Sequence, residues 1–156
     1  MENDLEFTEF LWRSKKNAFA LGLERIKLSD GGERKTFESD NLKYQDTHYG
    51  FNPFSGQELV WRDRKLIWGM SYQGEVFPKF KALEIYPFLN EALLRIPADL
   101  PLRGPPSFRS GHFEYINQLS KGQLNGIGYF SGKETILINR TPAYFLRYQG
   151  GTLEQC

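Results

Sequence analysis

Two β-prone runs, Gln57 to Arg62 and Lys65 to Tyr72, are separated only by Asp63-Arg64. A two-residue connection between such runs is a hairpin turn, and this hairpin constrains the rest of the fold. Pairing Arg62 with Lys65 sets Trp61 opposite Leu66 and Leu59 opposite Trp68. Leu59, Trp61, Leu66, Trp68, Met70 and Tyr72 then share one face. Glu58, Val60, Ile67, Gly69 and Ser71 fall on the other. The expected sheet is bulky and aromatic on a face covered by a helix, and small with one carboxylate on a face partly open. A slip of one residue would exchange the two sets.

The rest of the chain supplies partners for that hairpin. Phe7, Phe10, Leu11, Ser14 and Ala18 follow a helical period, with Asn3 or Asp4 as N-cap, which predicts a helix over about Leu5 to Asn17. Leu28 to Asp40 has turn residues and unperiodic charges and reads as an exposed loop with at most one short strand. Leu42 to Tyr49 is rich in β-formers and ends at Gly50-Phe51-Asn52-Pro53, so it reads as a strand and turn. Pro87 in a first turn, then Phe88, Leu89, Ala92, Leu93 and Ile96, with Pro97 as a stop, predicts a central helix. Pro97 to Pro106 is expected to be an ordered, extended loop around Leu102-Arg103-Gly104. Beyond Gly111, turn signals at Lys121-Gly122, Ser131-Gly132, Asn139-Arg140 and Gly150-Gly151 predict a four-stranded antiparallel meander. The reading is an α+β protein forming a single domain over residues 1–156. It has a strongly curved antiparallel sheet of about six to eight strands, with an N-terminal and a central helix packed on it.

Composition removes several function classes. An aromatic share of 15% supplies ample core material and argues against disorder. Lys and Arg total 20 against 19 for Asp and Glu, so no global field draws polyanions, and direct nucleic-acid binding is not expected. The basic hairpin tip of Arg62, Arg64 and Lys65 is interrupted by Asp63 and reads as a solvated turn. Cys156 is the sole cysteine, which excludes internal disulfides and points to a reducing, cytoplasmic setting. Neither a secretory leader nor a membrane-spanning apolar run is visible.

Few residues carry a chemical signature. His48 and His112, each two residues from a carboxylate at Asp46 and Glu114, hold the inventory of a two-histidine, one-carboxylate metal site, but their spacing is not that of a ligand set. No metal or cofactor is expected. Gly126 to Lys133 imitates a phosphate loop with the wrong spacing, and Glu134 stands where a hydroxyl residue should hold magnesium. Asp46 and Glu58 could meet across neighbouring strands and work as acid and base if burial separates their pKa values. Trp61, Trp68, Tyr72, Tyr144 and Tyr148 form either an ordinary aromatic core or a pocket wall with polar tips. Arg103 in its Pro-rich loop would anchor a ligand carboxylate or phosphate, or else bond carbonyls of that loop.

The segments Tyr44-Gln45-Asp46-Thr47-His48-Tyr49-Gly50, Gly56-Gln57-Glu58-Leu59-Val60-Trp61 and Trp68-Gly69-Met70-Ser71-Tyr72-Gln73-Gly74 resemble a bacterial family of domains of unknown function. Members often follow an XRE-type helix-turn-helix in transcriptional regulators. The likeness extends through Phe88 to Leu93, Arg103-Gly104-Pro105, Glu134, Asn139, Tyr144 and Gly150-Gly151, and includes the Phe10 to Ala18 helix. It supplies no catalytic residues and implies ligand sensing or protein contact. This chain shows no preceding helix-turn-helix, and it carries Phe145 and Gln149 where relatives tend to have acidic and histidine residues.

The first expectation for function is a sensory module binding a small molecule or peptide. Its site would draw on Tyr44, Asp46, Glu58, Trp61, Trp68, Tyr72, Arg103, Tyr144 and Tyr148. The alternatives are an interaction or inhibitory protein and a small hydrolase or isomerase using Asp46 and Glu58. Membrane association is not expected, and self-association is left open.

Overall fold

The computed structural model describes residues 4–20, 22–120 and 126–156. Helix α1 spans Leu5–Phe19, and Asp4 caps it by accepting from the Phe7 amide at 3.1 Å. Five strands follow as a meander: β1 Ile26–Lys27, β2 Glu33–Ser39, β3 Leu42–Gly50, β4 Phe54–Arg62 and β5 Lys65–Val76. Helix α2, Ala82–Leu93, and the loop to residue 106 cross to a second meander of β6 Ser107–Ser110, β7 Phe113–Leu119, β8 Tyr129–Ile138 and β9 Thr141–Thr152. The last strand, β9, pairs with β5. One antiparallel nine-stranded sheet results, in the order β1-β2-β3-β4-β5-β9-β8-β7-β6. The sheet therefore exceeds the expected six to eight strands.

The strands before β3 lie where the sequence has no apolar alternation. Leu28 to Asp40, with its unperiodic charges, reads as a loop with at most one short strand, yet Glu33–Ser39 pairs with β3 along its whole length. Tertiary pairing overrides a weak local signal. Gly132 and Gly150-Gly151, expected in turns, lie inside β8 and β9, whereas Asn139-Arg140 is a turn with φ of 48° and 66°. The expected turn at Lys121-Gly122 lies outside the described residues.

Both helices lie on one face of the sheet. Phe10 of α1 meets Phe37 of β2 at 5.8 Å between ring centroids, and Phe7 meets Trp68 of β5 at 6.3 Å. Phe88 of α2 stacks on Phe108 and Phe113 of the far meander at 5.6 and 5.0 Å. The inner face forms one continuous core from Leu42 and Tyr44 through Val60, Trp68 and Met70 to Leu146, Phe130 and Ile136. Helix α2 starts five residues earlier than Pro87 implied. Pro87 sits inside it on the exposed side, where its missing amide costs least.

The hairpin turn itself is as expected, with Asp63 and Arg64 at φ of 48° and 68°. Its faces are not. Ladder partners shift between Val60 and Trp61, which leaves Ile67 as the extra residue of a β-bulge and pairs Val60, not Leu59, with Trp68. Glu58 and Val60 thereby join Trp68, Met70 and Tyr72 on the inner face, and Leu59 and Trp61 turn outward. The face carrying the carboxylate is the covered one.

Candidate functional site

Among the described residues, Asp46, Glu58 and Glu134 are inner-face carboxylates that each accept from a tyrosine hydroxyl. Asp46 and Glu58 are direct ladder partners, and Lys35 stands opposite Asp46 on its other side, so the three form a row across β2, β3 and β4. Glu58 is fully buried and accepts the Tyr44 hydroxyl on Oε1 at 2.6 Å. Lys15, also fully buried, brings Nζ within 2.8 Å of Glu58 Oε2. That approach is off the axis of a hydrogen bond, so it acts as an ion pair, while Lys15 donates to the Leu102 carbonyl. Burial holds the Lys15 ammonium below its usual 10.5, opposed by the Glu58 charge.

Glu134 on β8 is the second sealed acid. Arg103 grips it at two points, Nε to Oε2 at 3.1 Å and Nη2 to Oε1 at 2.7 Å, and the hydroxyls of Tyr115 and Tyr144 also donate to it. A buried charge is tolerated when its lone pairs are met this fully. The loop that carries Arg103 is buried from Pro101 to Gly104. It is fastened by the Gly104 amide on the Tyr115 hydroxyl and by Asn117 on the Gly104 carbonyl, both at 3.0 Å.

Asp46 differs because solvent reaches it. It lines a cavity of about 240 Å³ between the inner face and α2, with Arg25, Lys35, His48 and Arg103 around it and Phe54, Leu89 and Leu93 forming an apolar side. Tyr72 donates its hydroxyl to Asp46 Oδ1 at 2.6 Å. Burial, and after it the Glu58 charge, push the Asp46 carboxyl up to about 6, against Tyr72, Arg103 and Lys35, which favour its charged form. His48 is held below its usual 6.5 by burial, although the Glu33 carboxylate 3.5 Å away raises it, so it is neutral at pH 7. A wider trough of about 970 Å³ crosses the outer face, but its charged side chains, Lys133 and Arg147, are exposed and no carboxylate lines it. The chemistry is concentrated on the inner side.

Of the residues expected at a site, Asp46, Tyr72 and Arg103 line the cavity. Tyr44, Glu58, Trp68 and Tyr144 lie on the same face but are closed into the core, and Tyr148, also buried, borders the outer trough as Tyr72 does. Trp61 is on the opposite face, under the Lys43 ammonium. His48 is on β3 and His112 in the turn between β6 and β7, and the described residues hold no group of three metal-ligating side chains. Lys15, Lys35 and Glu134 were not among the expected site residues, although Glu134 belongs to the family likeness. Lys15 had a visible signal, because it stands four residues after Leu11 and three before Ala18 on the apolar stripe of α1. Lys35 had none, since its strand read as loop.

A family model described as a domain of unknown function, DUF5680, matches residues 46–153, from Asp46 to just beyond the end of β9. No curated protein and no solved structure matches the chain. Neither helix among the described residues is long and apolar enough to cross a membrane.

Proposed function

The chain belongs to the DUF5680 family, whose description assigns no activity, and on that premise we propose that it is a small-molecule binding module of the sensory kind. The observation that carries this reading is Asp46, an acid held near 6 at the wall of a cavity that also presents cations and an apolar side. Cavities with a few convergent polar groups and a perturbed titrating residue are where ligands are expected. At about 240 Å³ the space is smaller than a drug-sized site and suits a metabolite. The likeness to domains that follow XRE-type regulators fits a sensory role in the cytoplasm.

Binding is favoured over acid and base catalysis by the unequal access of the two carboxylates. Asp46 reaches the cavity, but Glu58 is fully buried between Lys15 and Tyr44 and touches nothing that enters. A substrate would meet one acid, not a pair. The test is a thermal-shift screen of the whole chain against a metabolite panel. A true ligand at one hundred times its Kd adds about 2.7 kcal/mol. That gain should shrink in Asp46→Asn and in Leu89→Trp, which narrows the cavity. Hits that neither variant weakens would place binding elsewhere and end this reading.

A further inference from the structure

The cavity offers two polar ends at once. Arg103, 5% exposed, spends Nε and Nη2 on Glu134, and its Nη1 has no hydrogen-bond partner among the described residues. Lys35 uses one ammonium hydrogen on the Ala18 carbonyl and keeps two more. Facing these donors, Asp46 accepts Tyr72 on Oδ1, and Oδ2 has no hydrogen bond among the described residues. A free acceptor and free donors therefore line the same small space, with Phe54, Leu89 and Leu93 beside them.

The charges around the cavity balance. Arg103 is matched by Glu134, Arg25 by Glu33 at 3.2 Å and Lys15 by Glu58, which leaves Lys35 against Asp46. His48 adds no charge at neutral pH. A net anion or a net cation would enter a compensated site and leave one charge unmatched. A ligand that brings one charge of each sign leaves none.

We propose that the cavity takes a zwitterion of the α-amino-acid class, its ammonium on Asp46, its carboxylate on Arg103 and Lys35, and its side chain against Phe54, Leu89 and Leu93. This names the ligand class of the binding module proposed above and rests on that reading. The ammonium of the ligand replaces the proton that Asp46 otherwise retains near pH 6, so uptake weakens as pH falls below that value. The groups facing Asp46 are Lys35 on β2, His48 on its own strand, Glu58 on β4, Tyr72 on β5, Arg103 from the loop and Lys15 from α1.

The experiment is calorimetric titration of the full chain with L-leucine and L-phenylalanine, beside isopentylamine and 4-methylpentanoate, which each lack one charged end. At least one amino acid should bind, with both single-ended analogues at least tenfold weaker. Asp46→Asn, which keeps an acceptor for Tyr72, should weaken the amino acid at least tenfold while the chain stays folded by circular dichroism. Lys35→Met should do so separately. If an analogue binds as well as the amino acids and Asp46→Asn or Lys35→Met abolishes it, the cavity binds ligands but the zwitterion assignment is overturned. If none of the four probes binds and the wider metabolite screen is also flat, both this assignment and the binding reading fall.

Discussion

Asp46→Asn removes a charge that burial opposes and keeps an acceptor for the Tyr72 hydroxyl. The carboxyl titrates near 6 in the folded protein and at 3.8 without its surroundings. Below about 3.8 it is protonated in both states and contributes no difference. Between 3.8 and 6 the folded state binds the proton more firmly, so stability falls as pH rises through this window and stays lowered above it. The variant should therefore be more stable than the parent at pH 8, by at most about 3 kcal/mol, and nearly equal to it at pH 4. Urea denaturation at the two values checks this, and an equal gain at both would refute the assignment of the titration. Lys15 should behave in the opposite sense. Lys15→Met strands the Glu58 charge and should cost about 3 to 5 kcal/mol. Adding Glu58→Gln, which still accepts from Tyr44, should recover most of that loss. The sequence named Asp46, Glu58 and Arg103 because carboxylates and a cation among aromatics stand out in a run of letters. It could not show that Glu134, seen there as the wrong residue for a phosphate loop and as part of the family likeness, is what Arg103 holds.

At the scale of elements, Gly56 shows why a strand interior contains a residue that weakens strands. A Cβ there would collide with the phenol of Tyr72, which lies across the neighbouring strand to reach Asp46, and Gly132 stands in the same relation to Tyr148. Gly56→Ala should destabilise the protein by about 1 to 3 kcal/mol. By turning Tyr72 away it should also raise the Asp46 titration above its present value, followed by carboxyl chemical shifts in NMR. A loss of stability with an unmoved titration would mean that Tyr72 is not displaced. The same element holds the lesson about reading strands. The turn at Asp63-Arg64 was legible because two adjacent residues must fit positive φ, a local requirement. The bulge at Ile67 was not, because it depends on what β5 meets on its other side, where the Ile67 carbonyl accepts from the Leu153 amide at 2.8 Å. One inserted residue reversed the assignment of Glu58, Leu59, Val60 and Trp61 on β4, and so converted an expected open face into a covered one. Glycine pairs misled in the other direction, since Gly150-Gly151 marks tight strand packing rather than a chain reversal.

For the whole molecule, the two meanders share one sheet and one core, and their charged clusters are linked through the segment between α2 and β6. The α+β class and both helices were legible from periodicity, whereas the joining of β5 to β9 is a long-range pairing with no local mark. Unfolding should accordingly be a single transition, with tryptophan fluorescence and far-ultraviolet circular dichroism giving coincident curves. Separate midpoints would mean that the meanders melt independently. The buried loop has a further effect on how the backbone exchanges with solvent. Leu102 gives its carbonyl to Lys15, Arg103 holds Glu134, and the Gly104 amide is closed beneath the Tyr115 hydroxyl. These bonds tie α1, β7 and β8 to a stretch that is neither helix nor strand. Its amide can meet deuterium only when the whole structure opens. In a native-state exchange experiment Gly104 should then be among the slowest amides, surviving beside those of the central strands β5 and β9.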